Sequence, residues 1–324
     1  MDQSLWLSTP GHCEIRPVEV PAPAGGEVLV RTLYSAVSRG TELLVFRGQV
    51  PANQHDAMRA PFQEGDFPAP VKYGYLNVGV VELGPAGLRG RTVFCLYPHQ
   101  TRYVVPAAAV TVVPDRVPAA RAVLAGTVET AVNAAWDAAP LVGDRIAVVG
   151  AGMVGACVAK ILSGIPAARV QLVDVNPDRA VIAHALGVEF ATPERASDDL
   201  DLVIHASATE AGLARSLELL APDGVVIELS WYGDRPVAVP LGEWFHSRRL
   251  TLRSSQVGRI APARRGRRDF AGRLAIALEL LADPGYEALI TGECRFAELP
   301  TTLARLADDE PSSLCVRVSY EEDT

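Results

Sequence analysis

The chain has 324 residues, 49% of them hydrophobic, and a formal net charge of −8. That length suits two domains with sizeable cores, and the acidic balance gives no support for a nucleic-acid partner. No apolar run is long enough to span a membrane, and residues 1–20 carry charges and prolines rather than a signal peptide.

Five dispersed cysteines, Cys13, Cys95, Cys157, Cys294 and Cys315, form no C-x-x-C pair, which suggests reduced and mostly buried thiols. The expectation is a cytoplasmic protein with no membrane partner. Only the acidic end, Glu321-Glu322-Asp323, reads as disordered.

Residues 1–115 read as β-rich. Val28–Tyr34, Val78–Gly84, Arg91–Leu96 and Thr101–Val105 are strand candidates bounded by Gly or Pro, and their spacing suggests a small barrel. Gln49–Pro70 is rich in Pro, Gln and Asp without clear periodicity, the pattern of a lid or substrate-wall loop. From Val117 the period changes, and Ala119–Trp136 reads as an alanine-rich helix.

The stretch Ile146–Ala159 reads IAVVGAGMVGACVA. Its apolar start fits a strand buried on both faces of a parallel sheet. It runs into Gly150-Ala151-Gly152-Met153-Val154-Gly155, after which the apolar spacing becomes helical. In this strand–turn–helix context G-x-G-x-x-G marks a dinucleotide site. Gly150 allows the turn, Gly152 lets the backbone approach a pyrophosphate, and Gly155 allows close helix–strand packing. The helix N-terminus would hold the phosphates.

A second strand, Val170–Val173, ends at Asp174, 24 residues after Gly150. An acid there accepts hydrogen bonds from a ribose and repels a 2′-phosphate, so NAD is favoured over NADP. Val175 follows it at the same edge.

Further strands and helices alternate: helix Asp178–Leu186 with Asn176 as cap and Gly187 as stop, strand Asp201–Ile204, helix Leu213–Leu220, and strands Val225–Leu229 and Leu250–Leu252. Helix Phe270–Ala282 and strand Leu314–Val318 end the chain, with the tail expected to return to the first domain. The fold class is α/β. The expected division is 1–117 with 259–324 as one domain and 118–258 as a doubly wound dinucleotide-binding domain.

This order resembles the medium-chain dehydrogenase/reductase superfamily, through Val28–Gly48, Tyr73–Val81, Gly143-Asp144 and Gly150-Ala151-Gly152. Ser38-Arg39-Gly40-Thr41-Glu42, Met58–Gln63, Lys72-Tyr73-Gly74-Tyr75, Ser230-Trp231-Tyr232-Gly233, Phe245–Leu250 and Ser254–Gly258 resemble its bacteriochlorophyllide a dehydrogenase-like branch. The resemblance implies a GroES-like barrel beside a Rossmann domain, and oxidation of a secondary alcohol, in the setting of a specialised biosynthetic pathway. It also implies a homodimer paired through the edge strand within Ser247–Gly258.

Zinc-binding members of the superfamily use a Cys, a Gly-His-Glu motif and a further Cys or acid. Here these positions fall on Ser38 or Arg39, on Gly74-Tyr75-Leu76 and near Gly126, which is no credible ligand set, so no zinc is expected. A proton must then move through side chains. Tyr75 stands at the zinc-histidine position, and Lys72 would lower its pKa if the two approach. His99 lies in a Pro98-His99-Gln100 turn, and Glu42 and Ser38 lie in the loop that supplies the zinc cysteine in relatives. Tyr75 reads equally as a packed aromatic with a polar tip.

Thr127, Glu129, Thr130 and Asn133 fall where relatives open the helix under the nicotinamide. His205-Ala206-Ser207 and Ser230-Trp231 end their strands at the edge where parallel sheets bind ligands. His205 also reads as a satisfied core histidine, and Trp231 either stacks on a flat substrate or caps the core. Arg259, Arg264, Arg265, Arg267 and Arg268 form a dense cluster, either a clamp for a carboxylate or phosphate or a solvated loop.

The expected function is hydride transfer between NAD and a secondary alcohol or ketone without zinc. The alternatives are reduction of an activated C=C bond, as in zinc-free quinone and enoyl reductases, and a non-catalytic NAD-binding scaffold.

Overall fold

The computed structural model describes residues 1–308 and 313–320; the acidic stretch Glu321-Glu322-Asp323 lies outside them. Contacts divide the chain into two units, one built from residues 1–126, 278–282 and 290 onward, the other from 127–277 and 283–289. Among the described residues no helix is long and apolar enough to cross a membrane.

The second unit holds an all-parallel sheet of six strands. Its spatial order is Glu189–Ala191, Arg169–Val173, Arg145–Val149, Leu200–His205, Leu220–Glu228, Thr251–Ser254. The chain builds outward from Arg145–Val149 to one side, then returns and builds outward on the other. The order therefore reverses between Arg145–Val149 and Leu200–His205, the switch point at which such sheets leave a ligand crevice. The apolar runs are central: Ile146, Ala147, Val148, Leu172, Val173, Val203, Ile204, Val226 and Ile227 are fully buried, as expected for strands covered on both faces.

Two helix ends follow their expected chemistry. Asn176 accepts a hydrogen bond from the Asp178 N–H at 2.9 Å, and Gly187 adopts a left-handed conformation at φ +70°. The helix there begins with a tighter turn, Pro177–Arg179, before Ala180–Leu186.

Other boundaries differ from expectation. Ala119–Trp136 is two helices, Ala119–Ala122 and Ala125–Ala138, because the Leu124 N–H reaches back only to Arg121 and tightens the ladder. The helix expected at Leu213–Leu220 spans Glu210–Glu218, set by Thr209, whose hydroxyl accepts from the Gly212 N–H at 3.0 Å. Leu220 already opens the next strand.

In the first unit, Glu27–Ser38 is the central strand of a seven-stranded sheet, pairing with Asn77–Leu83, Arg102–Pro106 and Cys315–Ser319. A smaller sheet contains the hairpin Gln3–Thr9/His12–Pro17 and two short strands, Glu64–Gly65 and Val71–Lys72. Gln49–Pro70 is thus partly ordered by its own backbone pairing rather than one continuous loop. The hairpin, the strand Ile290–Arg295 and the helix Leu299–Ala307 were not among the expected elements, although Leu299, Thr302, Leu303 and Leu306 are buried at helical spacing.

Helix Phe270–Leu280 is tied into the second unit as far as Ala277, although the sequence reading placed it with the first domain. The cause is Arg273, which is 1% exposed. Its guanidinium donates to Glu129 at 3.0 Å, to the Asn133 Oδ1 at 2.6 Å and to the Val257 carbonyl at 2.6 Å. Burial pushes the Glu129 carboxyl up against the lowering effect of Arg273. Removing one partner of a buried pair leaves an uncompensated charge. Arg273→Leu should therefore cost about 3 kcal/mol in denaturant unfolding, and adding Glu129→Leu should recover most of it. A single variant as stable as the wild type would show that this network does not hold the helix.

Candidate active site

The three fingerprint glycines have separate geometric causes. Gly150 has φ +107°, and a Cβ there would lie 2.7 Å from backbone atoms of Ala206 and Ser207. A Cβ on Gly155 would fall 1.9 Å from the Gly150 carbonyl oxygen, so the helix Met153–Ser163 can approach its strand only without a side chain at that position. Gly152 caps the helix with open space where its Cβ would be, the room a pyrophosphate needs. Met153 and Val154 form the partly exposed first turn. The residues present fit a dinucleotide.

Asp174 ends its strand half-buried, with one carboxylate oxygen accepting from the Ala151 N–H at 2.7 Å and the other from the Asn176 N–H at 2.8 Å. The carboxylate is thereby fixed at the fingerprint turn, and each oxygen keeps a further lone pair for a hydroxyl. Val175 beside it is 82% exposed.

Across the switch point, His205 is fully buried, its Nδ1 2.7 Å from Glu228 and its Nε2 2.7 Å from the Ser207 hydroxyl. A carboxylate only accepts, so Nδ1 carries the hydrogen and donates to Glu228. Both ring nitrogens of His205 are thereby engaged, and Ser207 lies against Gly150 with Ala206. Glu228 also accepts from the Tyr232 hydroxyl at 3.1 Å and the Ser230 N–H at 2.7 Å. Ser230 Oγ accepts from the Ala208 N–H at 3.0 Å, and Trp231 is half-buried. Burial disfavours the ionised Glu228, but the bonds and charge of His205 and the Ser230 N–H outweigh it and leave the carboxyl below its usual range.

Thr130 stays partly exposed on the helix Ala125–Ala138, whereas Glu129 and Asn133 are engaged by Arg273. Both side chains are thus committed to Arg273.

In the first unit a second polar cluster forms at the end of Glu27–Ser38. His99 is 1% exposed, with Nε2 2.9 Å from Glu42 and Nδ1 2.7 Å from the Ser35 hydroxyl, which is in turn 2.9 Å from the Tyr320 hydroxyl. Glu42, on the helix Arg39–Phe46, also accepts from the Ser38 N–H at 2.7 Å. Gly74 has φ +127°, and a Cβ there would lie 2.9 Å from the His99 ring, so only glycine lets the chain turn past this histidine.

Tyr75 follows, half-buried, and donates to Ser38 Oγ at 2.6 Å. Burial, and then the Glu42 charge, push its phenol up to about 12 against hydrogen bonds with Ser38 and Thr41. The expected lowering by Lys72 does not occur. Lys72 is buried and bonds Glu64 and, at 2.8 Å, Gln100, with the Tyr97 ring 5.4 Å away. Burial lowers the Lys72 pKa, opposed by Glu64. Sequence reasoning missed Ser35, Tyr320, Glu228 and Tyr232. A glutamate inside the apolar run Val225–Leu229 was the available signal for one of them.

The positions that the resemblance assigns to zinc ligands fall on Ser38 or Arg39, on Tyr75 and near Gly126. The two hydroxyls bond each other, and a Cβ at Gly126 would lie 2.6 Å from the Leu76 side chain. Neutral hydroxyls without thiolate or imidazole do not make a zinc donor set. Among the described residues no three His, Cys, Asp or Glu side chains gather to hold a metal.

Solved structures share this architecture over the whole chain. An alcohol dehydrogenase of Escherichia coli CFT073, solved with NADH, matches with TM-score 0.78 at 18% identity, covering 98% of this chain and 99% of the other. The shared fold is α/β, a GroES-like barrel and a Rossmann sheet. A 2R,3R-butanediol dehydrogenase of Bacillus subtilis matches with TM-score 0.80 at 16% identity, covering 99% of this chain and 100% of that one. The curated L-threonine 3-dehydrogenase of Rhizobium rhizogenes is 30% identical over 115 residues, 35% of this chain and 33% of that protein. The matched segment thus spans about a third of the relative's length. No family model matches the chain.

The depressed Glu228 carboxyl fixes a pH dependence. A folded-state pKa below the unfolded value contributes stability that is complete above the unfolded pKa, about 4.5 here, and is lost as pH falls through the folded value. Glu228→Gln should therefore be less stable than wild type at pH 7, with the gap closing in acid. Denaturant titrations at pH 7 and in acid check this; an equal gap at both would contradict the role given to the Glu228 carboxylate.

Proposed function

We propose that the chain is a zinc-independent, NAD-dependent oxidoreductase that moves a hydride between the nicotinamide and a secondary alcohol or ketone. The observation that carries it is the pairing of a geometrically complete fingerprint, Gly150, Gly152 and Gly155 with Asp174, with a hydroxyl pair, Tyr75–Ser38, at the zinc-ligand positions. When bound, the nicotinamide supplies or accepts the hydride. In the reducing direction the substrate oxygen gains negative charge as the hydride arrives at carbon. Tyr75 turns its one hydroxyl hydrogen from Ser38 to that oxygen and gives up its proton.

A phenol held near 12 stays protonated through the neutral range, which suits an acid toward an alkoxide better than a base toward an alcohol. Ser38 is the group next in line to restore that proton. His99 is buried and acts as a positioning residue, holding Glu42, whose charge keeps Tyr75 protonated. Lys72 holds Glu64 and has no direct part.

The same proposal includes the bacteriochlorophyllide a dehydrogenase-like branch with its specialised pathway, supported by the segments that resemble it, and a cytoplasmic location. It also includes a homodimer through Thr251–Ser254, the outermost strand of its sheet, whose open side favours pairing with another copy.

Tyr75→Phe should lower kcat by roughly a hundredfold or more while the NADH dissociation constant stays within about twofold. Dialysis against EDTA should leave the wild-type rate unchanged. Activity that disappears with the metal and returns with zinc would contradict the mechanism, as would a Phe variant that turns over normally.

A further inference from the structure

Arg16, Arg31, Arg59, Arg91, Arg102, Arg116, Arg145, Arg215, Arg249, Arg273, Arg295 and Arg317 each lie within ion-pair distance of a carboxylate. Arg259, Arg264, Arg265, Arg267 and Arg268 are not among them, and they are the densest run of arginines in the chain. All five are exposed within ten residues, and among the described residues none has a carboxylate partner. The one acid beside them, Asp269, is turned to the following helix, where it accepts from the Gly272 N–H at 2.7 Å.

The segment that carries them is anchored from beneath. The Val257 carbonyl accepts from the buried Arg273, and the Ala261 N–H donates to Asn133 at 3.2 Å with Ala261 itself buried. Arg265 donates to the Ile260 carbonyl at 3.0 Å, and the Arg264 guanidinium lies 5.9 Å from the Trp136 ring centre. The segment leaves the sheet at the carboxyl end of Thr251–Ser254. There the Ser255 N–H donates to the Glu228 carbonyl at 2.9 Å, beside the strand end that carries Ser230 and Trp231. The arginines thus begin on the ligand edge of the sheet, on the side of the switch point opposite Asp174.

Like charges closer than the screening length of about 8 Å repel one another, and an anion bound among five exposed arginines within ten residues offsets such repulsion. The planar guanidinium matches carboxylate and phosphate through paired hydrogen bonds. We infer that this rim binds an oxyanion and that the oxyanion belongs to the substrate: the alcohol or ketone carries a carboxylate or phosphate group. The inference rests on the dehydrogenase reading for the word substrate, and on the arginine rim alone for the anion.

The test compares 4-oxopentanoate with 2-pentanone, ketones that differ by a carboxylate, as substrates with NADH. Wild type should prefer the oxoacid by roughly tenfold or more in kcat/KM, with the preference shrinking as NaCl rises. In the combined variant Arg264→Ser/Arg265→Ser/Arg267→Ser/Arg268→Ser the preference should fall toward one. A calorimetric arm titrates citrate and inorganic phosphate into the NADH-bound protein. Citrate binding that weakens at least tenfold in the variant supports the inference, and the stronger of the two ions separates carboxylate from phosphate. Equal binding by both proteins, or none by wild type, overturns it whatever the turnover shows. Absence of NADH binding and of turnover with both ketones would instead sink the dehydrogenase reading.

Discussion

The structure of the nucleotide unit depends on one close contact. The helix Met153–Ser163 approaches its strand so nearly that a Cβ on Gly155 would collide with the Gly150 carbonyl. That approach brings the helix N-terminus, with its unpaired N–H groups, over the carboxyl end of the sheet. It does so at the one place where strand order reverses. Gly150 is pressed against Ala206 and Ser207 by the same geometry, so the next strand's polar cluster is built into the wall of the turn. Asp174 is then fixed by the Ala151 N–H. Turn, acid and Ser207 are parts of one packing solution.

Both units use a buried histidine in the same way. His205 joins Glu228 to Ser207, and His99 joins Glu42 to Ser35. In each case the carboxylate fixes the tautomer and the hydroxyl takes the second nitrogen, so a ring with two polar atoms is buried without an orphaned group. Both rings are buried. What reaches outward is the next residue along: Ser207 in one unit, and Tyr75, through the charge on Glu42, in the other.

The fold was largely legible because its strongest signals are local. Glycines with steric tasks, an Asn cap, a Gly stop and uninterrupted Val/Ile runs each act over a few residues. What escaped depends on distant partners. Nothing near Arg273 in sequence announces that it is buried against Glu129 and Asn133. Lys72 was expected to tune Tyr75 because they are three residues apart, but the chain turns at Gly74 and sends Lys72 to Glu64 and Gln100. The hairpin Gln3–Thr9/His12–Pro17 was missed because its pattern is short and interrupted by proline and glycine.

The central claim is that this turn, with Asp174 at its side, holds NAD(H). The measurement that tests it most directly is a fluorescence titration of the protein with NADH and with NADPH at matched ionic strength. NADH should bind more tightly than NADPH by at least roughly tenfold, because the 2′-phosphate would meet the Asp174 carboxylate. Equal or tighter binding of NADPH, or no binding of either, would contradict the account.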